Sequence, residues 1–145
     1  MFKKLWMAFA LMLCGGCSST IHTAFLSPVC IKPYKNYKYH ICHDVDVVIQ
    51  KKRYRIPAGF QTDLASIPRL AWSVMSPAHS SLIRPAIVHD YFYNTACEFT
   101  RKQTDLIFYH MLVNDGISSF RASIMYAAVR IAGWKFFKQG VCDGN

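Results

Sequence analysis

His89-Asp90 interrupts an apolar run, Ile87-Val88-His89-Asp90-Tyr91-Phe92-Tyr93, and two further carboxylates, Asp63 and Asp105, also stand beside apolar neighbours. The chain carries only 8 acidic residues, so their placement among Leu, Ile, Val and Phe needs an explanation. A carboxylate in apolar surroundings is paired, metal-bound or catalytic, because a bare buried charge is too costly to keep. On a helix His89 shares a face with Tyr93 one turn later, while Asp90 points about 100° away. Asp105, brought over from a neighbouring helix, would hold the His89 imidazole in one tautomer and raise the basicity of its other nitrogen, as in a general base. Asp63 approaching Asp90 from the other side would give two hard oxygen donors. With loop carbonyls and water these make a calcium-type set, whereas two acids without a cation repel. Against this stands the plain structural reading, in which a buried His-Asp pair is a satisfied hydrogen bond and nothing more.

Those residues must be positioned by elements that the sequence pattern predicts. Val45 to Gln50 and Arg53 to Ile56 are β-rich runs flanking Lys51-Lys52 and read as a hairpin, ended by Pro57 and Gly59, although the turn lacks Asn-Gly or Asp-Gly. From Ser66 the pattern turns helical, with Ser66 capping a short helix through Ile67-Pro68 to about Met75. Pro85 opens a second helix that runs to Tyr93 or Asn94. Thr100 caps a third, Arg101 to Asn114, with Leu106, Tyr109, Leu112 and Val113 on one face and Asp115-Gly116 as its stop. Ser118 or Ser119 starts a fourth, through Ile124, Ala128, Ile131 and Trp134 to about Phe137, its aromatic positions expected in the core. The expected fold class is α+β, mainly helical: an N-terminal β-hairpin followed by a compact core of three to four helices.

The N-terminus reads as an export signal: Lys3-Lys4, an apolar stretch from Leu5 to Leu13 too short for an ordinary span, then small residues. Its end, Cys14-Gly15-Gly16-Cys17-Ser18, resembles a bacterial lipobox, in which Cys17 takes the lipid and becomes the mature N-terminus. Ser18 resembles the residue of lipoproteins passed on to the outer membrane rather than kept at the inner one. The expected organisation is a signal peptide over 1–16, a tether and basic/aromatic segment over 17–43, one globular domain over 44–138 and a tail over 139–145. The formal charge of +9 falls when Lys3 and Lys4 leave, but the domain stays basic. In an exported, lipid-anchored protein that charge points to anionic membrane surfaces and not to nucleic acid. Lys32-Pro-Tyr-Lys-Asn-Tyr-Lys-Tyr39 suits either a membrane-interface strip or a solvated surface loop. Cys30, Cys42, Cys97 and Cys142 remain for an oxidising compartment, and Cys30–Cys42 with Cys97–Cys142 is the pairing expected. His40-x-Cys42-His43 with Cys30 fits no strong zinc spacing.

Taken together, Thr62-Asp63-Leu64-Ala65-Ser66-x-Pro68, His89-Asp90-x-x-Tyr93-Asn94, Arg101-x-x-x-Asp105-x-x-Phe108-Tyr109 and Met125-Tyr126-x-Ala128-Val129-Arg130-x-x-Gly133 resemble a family of uncharacterised small phage and bacterial proteins. The series is similar, more distantly, to the bacterial and fungal secreted phospholipase A₂ enzymes, with their calcium loop, His-Asp helix and partner helix. That resemblance implies a phospholipase A₂-like helix pair. His89 would be the base that takes a proton from water attacking a glycerophospholipid ester, with Asp105 orienting it and Tyr93 beside the dyad. Asp63, Asp90 and the Leu64 carbonyl would hold Ca²⁺. Leu64-Ala65 stand where those enzymes have Gly-Cys, so a glycine-dependent loop conformation is harder to reach here. Two other function classes compete. One is a non-enzymatic envelope lipoprotein of phage or prophage type, which binds or modifies a host surface and keeps the helices as scaffold. The other is an HD-type metal phosphohydrolase using His79, His89-Asp90 and Asp105.

Overall fold

The computed structural model describes residues 20–36, 38–64, 80–95 and 98–138. The lipobox and Cys17, the helix expected from Ser66, His79, and the Cys97 and Cys142 pair lie outside the described residues. No helix among the described residues is long and apolar enough to cross a membrane. The fold is α+β, with three helices and two small antiparallel sheets.

Three strands come from the stretch expected to be a tether: β1 (Thr23–Phe25), β2 (Ile31–Pro33) and β3 (Tyr39–Ile41). They are followed by β4 (Val45–Ile49), β5 (Lys52–Ile56) and β6 (Gln61–Thr62). One sheet runs β1-β4-β5 and the other β2-β3-β6, so the expected single hairpin is only the β4–β5 half of one sheet. These N-terminal strands are short and escape a reading by alternation, which needs several residues to show a period. β4 shows why its hairpin was legible: Val45, Val47 and Ile49 are buried on one face, while Asp46 on the other meets Arg53 and Arg55 across the strand pair. Hydrogen bonds from Arg53 and then Arg55 pull the Asp46 carboxyl down to about 2. The Cys30–Cys42 disulfide, with Cα atoms 5.3 Å apart, staples the ends of β2 and β3 as expected.

Pairing of Ile49 with Lys52 puts the turn on Gln50-Lys51, one residue before the expected Lys51-Lys52. Both turn residues have positive φ, 48° and 71°. A two-residue loop between right-twisted strands demands this backbone, which is why Asn-Gly is its usual sequence.

The helices are α1 (Ser80–Thr95), α2 (Arg101–Asn114) and α3 (Ser119–Ala132), with a 3-10 turn at Gly133–Lys135. α2 has the expected bounds: the Thr100 hydroxyl accepts from the Gln103 N–H, the Gln103 side chain accepts from the Thr100 N–H, and Gly116 follows with φ +90°. α1 begins five residues before the expected start, so Pro85 lies inside it. Leu82, buried in the turn ahead of Pro85, packs with Phe108, Leu112 and Met125, and this tertiary contact keeps that turn helical.

α2 is the wedge of the molecule. Ile107 and Met111 join the cluster of Val45, Val47, Ile49, Ile56, Ile87 and Phe92 against the first sheet. Phe108 and Leu112 face Met125 and Val129 of α3. The expected α2 stripe of Leu106, Tyr109 and Val113 is only half-buried, and Leu112 alone of that set is fully inside. On α3 the expected core positions are only partly inside: Ile124 and Ala128 are half-buried, and Ala128 packs against the core. Ala122, Met125 and Val129 face inward, whereas Ile131 is 77% exposed, Trp134 63% and Phe136 58%. α3 has two apolar stripes, and periodicity reports both without saying which one the core takes.

Replacing Gln50-Lys51 by Asn-Gly should raise stability to urea by about 1 kcal/mol, since it relieves two left-handed non-glycine residues. Equal or lower stability would refute strain at this turn.

Candidate functional site

Asp105 lies in the second turn of α2, is 0% exposed, and receives donors from both neighbouring helices. The His89 Nε2 lies 2.9 Å from its Oδ1, and the Tyr93 hydroxyl donates to the same oxygen at 2.6 Å. Arg130 of α3 donates from Nη1 to Oδ2 at 2.8 Å. The i to i+4 spacing of His89 and Tyr93 on α1 is what delivers both to one carboxylate. Their rings lie 4.0 Å apart between centroids, and Phe108 flanks the imidazole at 5.0 Å. Burial pushes the Asp105 carboxyl up, but the bonds from His89, Tyr93 and Arg130 outweigh it and hold the carboxyl below its ordinary 3.8. Burial and then the Asp105 bond push the Tyr93 phenol far above its ordinary 10.0, so it stays a donor.

On the other side of the imidazole, Nδ1 faces Asp90 Oδ1 at 3.9 Å. His89 thus sits between two carboxylates. Burial lowers its pKa, yet Asp105 and Asp90 together outweigh that and raise it above 6.5. Asp90 is fixed from the strand side: the Thr62 hydroxyl at the end of β6 donates to its Oδ2 at 2.5 Å and accepts from the Leu64 N–H at 3.2 Å. One hydroxyl therefore orients both the carboxylate and the loop that follows. Leu64 has φ +48°, so the loop takes up a left-handed conformation at Leu64 without a glycine there.

A cavity of about 550 Å³ opens here. The buried Thr62, Asp90 and Tyr93 line it together with Asp63 and the exposed Lys38, Lys135 and Lys138. Acid thus sits within a basic surround, with charges of both signs lining one cavity. No group of three His, Cys, Asp or Glu side chains poised for a metal occurs among the described residues. Asp63 and Asp90 are hard oxygen donors, the chemical type that calcium takes.

The structure brings together His89, Asp105 and Tyr93 as the spacing implies, and it places Asp63 and Asp90 on one cavity. Three participants were not assigned from sequence. Thr62 carries the polar-at-a-strand-end signal of its motif, and Arg130 is a cation one helix away whose long reach no spacing rule captures. Gly133 is the third: a Cβ there would meet the Tyr93 hydroxyl at 2.5 Å. The glycine leaves room for the phenol that donates to Asp105. Two other arginines of these helices are also held: Arg84 pairs with Asp115 at 2.7 Å and Arg101 donates to the Arg130 carbonyl at 2.9 Å.

A family model described as a protein of unknown function, DUF1353, matches residues 39–129, more than half of the chain. That span holds Thr62, Asp63, His89, Asp90, Tyr93 and Asp105. The Uncharacterized protein y4jT of Sinorhizobium fredii (strain NBRC 101917 / NGR234) is 32% identical over 82 residues, which cover 56% of this chain and 24% of that protein. The match therefore spans about a quarter of the relative's length. No solved structure matches the chain.

Gly133→Ala should cost about 1–3 kcal/mol by pushing the Tyr93 ring off Asp105. Adding Tyr93→Phe should recover part of that loss, so a double-mutant cycle in urea that shows simple additivity would refute the contact. The two ends of the network also respond oppositely to pH. His89, raised above 6.5, adds stability that is complete below 6.5 and is lost as pH rises through its folded value. Asp105, held below 3.8, adds stability present above 3.8 that is lost as pH falls through its folded value. In urea midpoints measured across pH, His89→Gln should flatten the alkaline decline and Asp105→Asn the acid one; unchanged limbs would show that these groups do not titrate with folding.

Proposed function

The chain belongs to the DUF1353 family of proteins of unknown function, and from that premise we propose an exported, lipid-anchored envelope protein that acts as a calcium-dependent, phospholipase A₂-like esterase. One observation carries the reading: His89 lies between Asp105, which fixes its Nε2, and Asp90, which opens onto a cavity of mixed acid and lysine lining. In the neutral imidazole Nε2–H donates to Asp105, so the lone pair is on Nδ1, toward the Asp90 side. His89 accepts the proton of a water whose oxygen attacks the ester carbonyl, and then returns it to the departing alcohol oxygen. The products are a fatty acid and a lysophospholipid. Asp105, with Tyr93 and Arg130 behind it, balances the imidazolium formed on the way. Lys38, Lys135 and Lys138 suit the phosphate of the head group. Calcium held by Asp63, Asp90 and the Leu64 carbonyl would supply positive charge for the phosphate and the developing oxyanion. Cys17 would carry the lipid, and Ser18 favours the outer membrane.

A second reading rests on its own observation. Every buried side-chain nitrogen and oxygen among the described residues has a hydrogen-bond partner, as a purely structural network would. On that reading the protein is a non-enzymatic envelope lipoprotein of phage or prophage type, which binds or alters a host surface on the same scaffold.

The full-length protein, given phosphatidylglycerol vesicles, should release fatty acid with calcium and stop with a chelator. His89→Gln should lower release by at least about 100-fold. Thr62→Val, which removes the hydroxyl that aims Asp90, should lower it while Thr62→Ser retains it. No release by the wild type at any calcium level, or undiminished release by His89→Gln, would decide for the non-enzymatic scaffold.

A further inference from the structure

The outward stripe of α3 is a second apolar face with no place in the core. Phe120, Ile124, Ala127 and Ile131 recur at helical spacing on the side opposite Ala122, Met125 and Val129. Among the described residues six large hydrophobics are exposed, and four of them, Phe120, Ile131, Trp134 and Phe136, fall on α3 or just beyond it. An isolated exposed side chain needs no explanation, but a contiguous row does.

The charges beside this row are all of one sign. From Ser118 to Lys138 there are Arg121, Arg130, Lys135 and Lys138 and no acidic residue. Arg130 turns inward to Asp105, while Arg121, Lys135 and Lys138 are exposed. The Lys135 ammonium lies 5.4 Å from the centre of the Trp134 ring. Lys135, Phe136 and Lys138 also line the cavity that holds Asp90, with Lys38 from the basic segment before β3. The row of apolar side chains therefore runs to the site's mouth.

We propose that the outer face of α3 and the 3-10 turn dock on an anionic phospholipid bilayer, with Phe120, Ile131, Trp134 and Phe136 entering the headgroup boundary and Arg121, Lys135 and Lys138 meeting lipid phosphates. Helices that lie in the interface combine Trp, Phe and aliphatic residues on one side with Lys and Arg beside them. A protein partner is the less fitting occupant, because lysine is depleted where protein surfaces meet. Docking in this way turns the cavity toward the lipid. Only that last consequence rests on the proposed activity; the docking itself does not.

The full-length chain with Trp6→Phe and Trp72→Phe leaves Trp134 as its one tryptophan, so its emission reports this face even if the N-terminus anchors elsewhere. With vesicles of phosphatidylcholine and phosphatidylglycerol, Trp134 emission should shift to the blue and be quenched by brominated acyl chains. With phosphatidylcholine alone it should do neither. Lys135→Gln and Lys138→Gln should each weaken the response roughly five-fold, and raised salt should do the same. His89→Gln should leave it unchanged, which separates docking from chemistry. Vesicle-bound protein whose Trp134 stays unquenched overturns the proposal. So does a dimer in the absence of lipid that Ile131→Ser returns to monomer, since the face would then belong to a second copy.

Discussion

The arrangement depends on one fully buried carboxylate. Asp105 has no water to solvate it, so the charge persists only because α1 supplies His89 and Tyr93 and α3 supplies Arg130. Apolar contacts between α2 and its neighbours are tolerant of small shifts. Three hydrogen bonds from two helices to one carboxylate are not. Removing any donor leaves the rest of the network short of a partner, and removing the carboxylate strands a cation and an imidazole. The register of the three helices is thereby fixed at the level of single atoms, where hydrophobic packing alone would allow slippage.

The strand side contributes a different constraint. β6 is only two residues long, yet it ends on Thr62, whose hydroxyl donates to Asp90 and accepts from the Leu64 N–H. β6 is held by β3, and β3 is tied to β2 by pairing and by the Cys30–Cys42 bridge. A disulfide in the N-terminal strands thus reaches the site through two strand pairings and one hydroxyl. This gives the small second sheet a purpose that its slight buried area would not.

Much of this was legible in the residues. Thr100 and Asp115-Gly116 mark both ends of α2, because caps answer to local chemistry that the chain carries with it. The His89, Tyr93 and Asp105 constellation was readable because helical spacing fixes which side chains share a face. The start of α1 was not, since tertiary packing of Leu82 overrides the breaking signal of Pro85. Nor was the inward face of α3, where Ile124, Ala128, Ile131 and Trp134 form as regular a stripe as Ala122, Met125 and Val129. Periodicity identifies an apolar face and leaves its partner unnamed. Arg130 and Gly133 belong to the same class of omission: each matters through a side chain on another helix, and only the folded backbone brings those side chains near.

The two carboxylates beside His89 are unequal, and that inequality bears on whether the site does chemistry. Asp105 is enclosed: it is 0% exposed and both of its oxygens accept from His89, Tyr93 and Arg130, so it serves His89 out of a ligand's reach. Asp90 is oriented by Thr62 yet also lines the cavity with Asp63. The second acid, on the far side of the imidazole, raises the charge to be buried and ties in β6 through Thr62, not another helix. An active site does gain from it, since the acid is where a cation and a substrate can meet the base. The helices' structural demand is met at Asp105, while Asp90 both joins α1 to β6 through Thr62 and faces the cavity in which the proposed chemistry would take place.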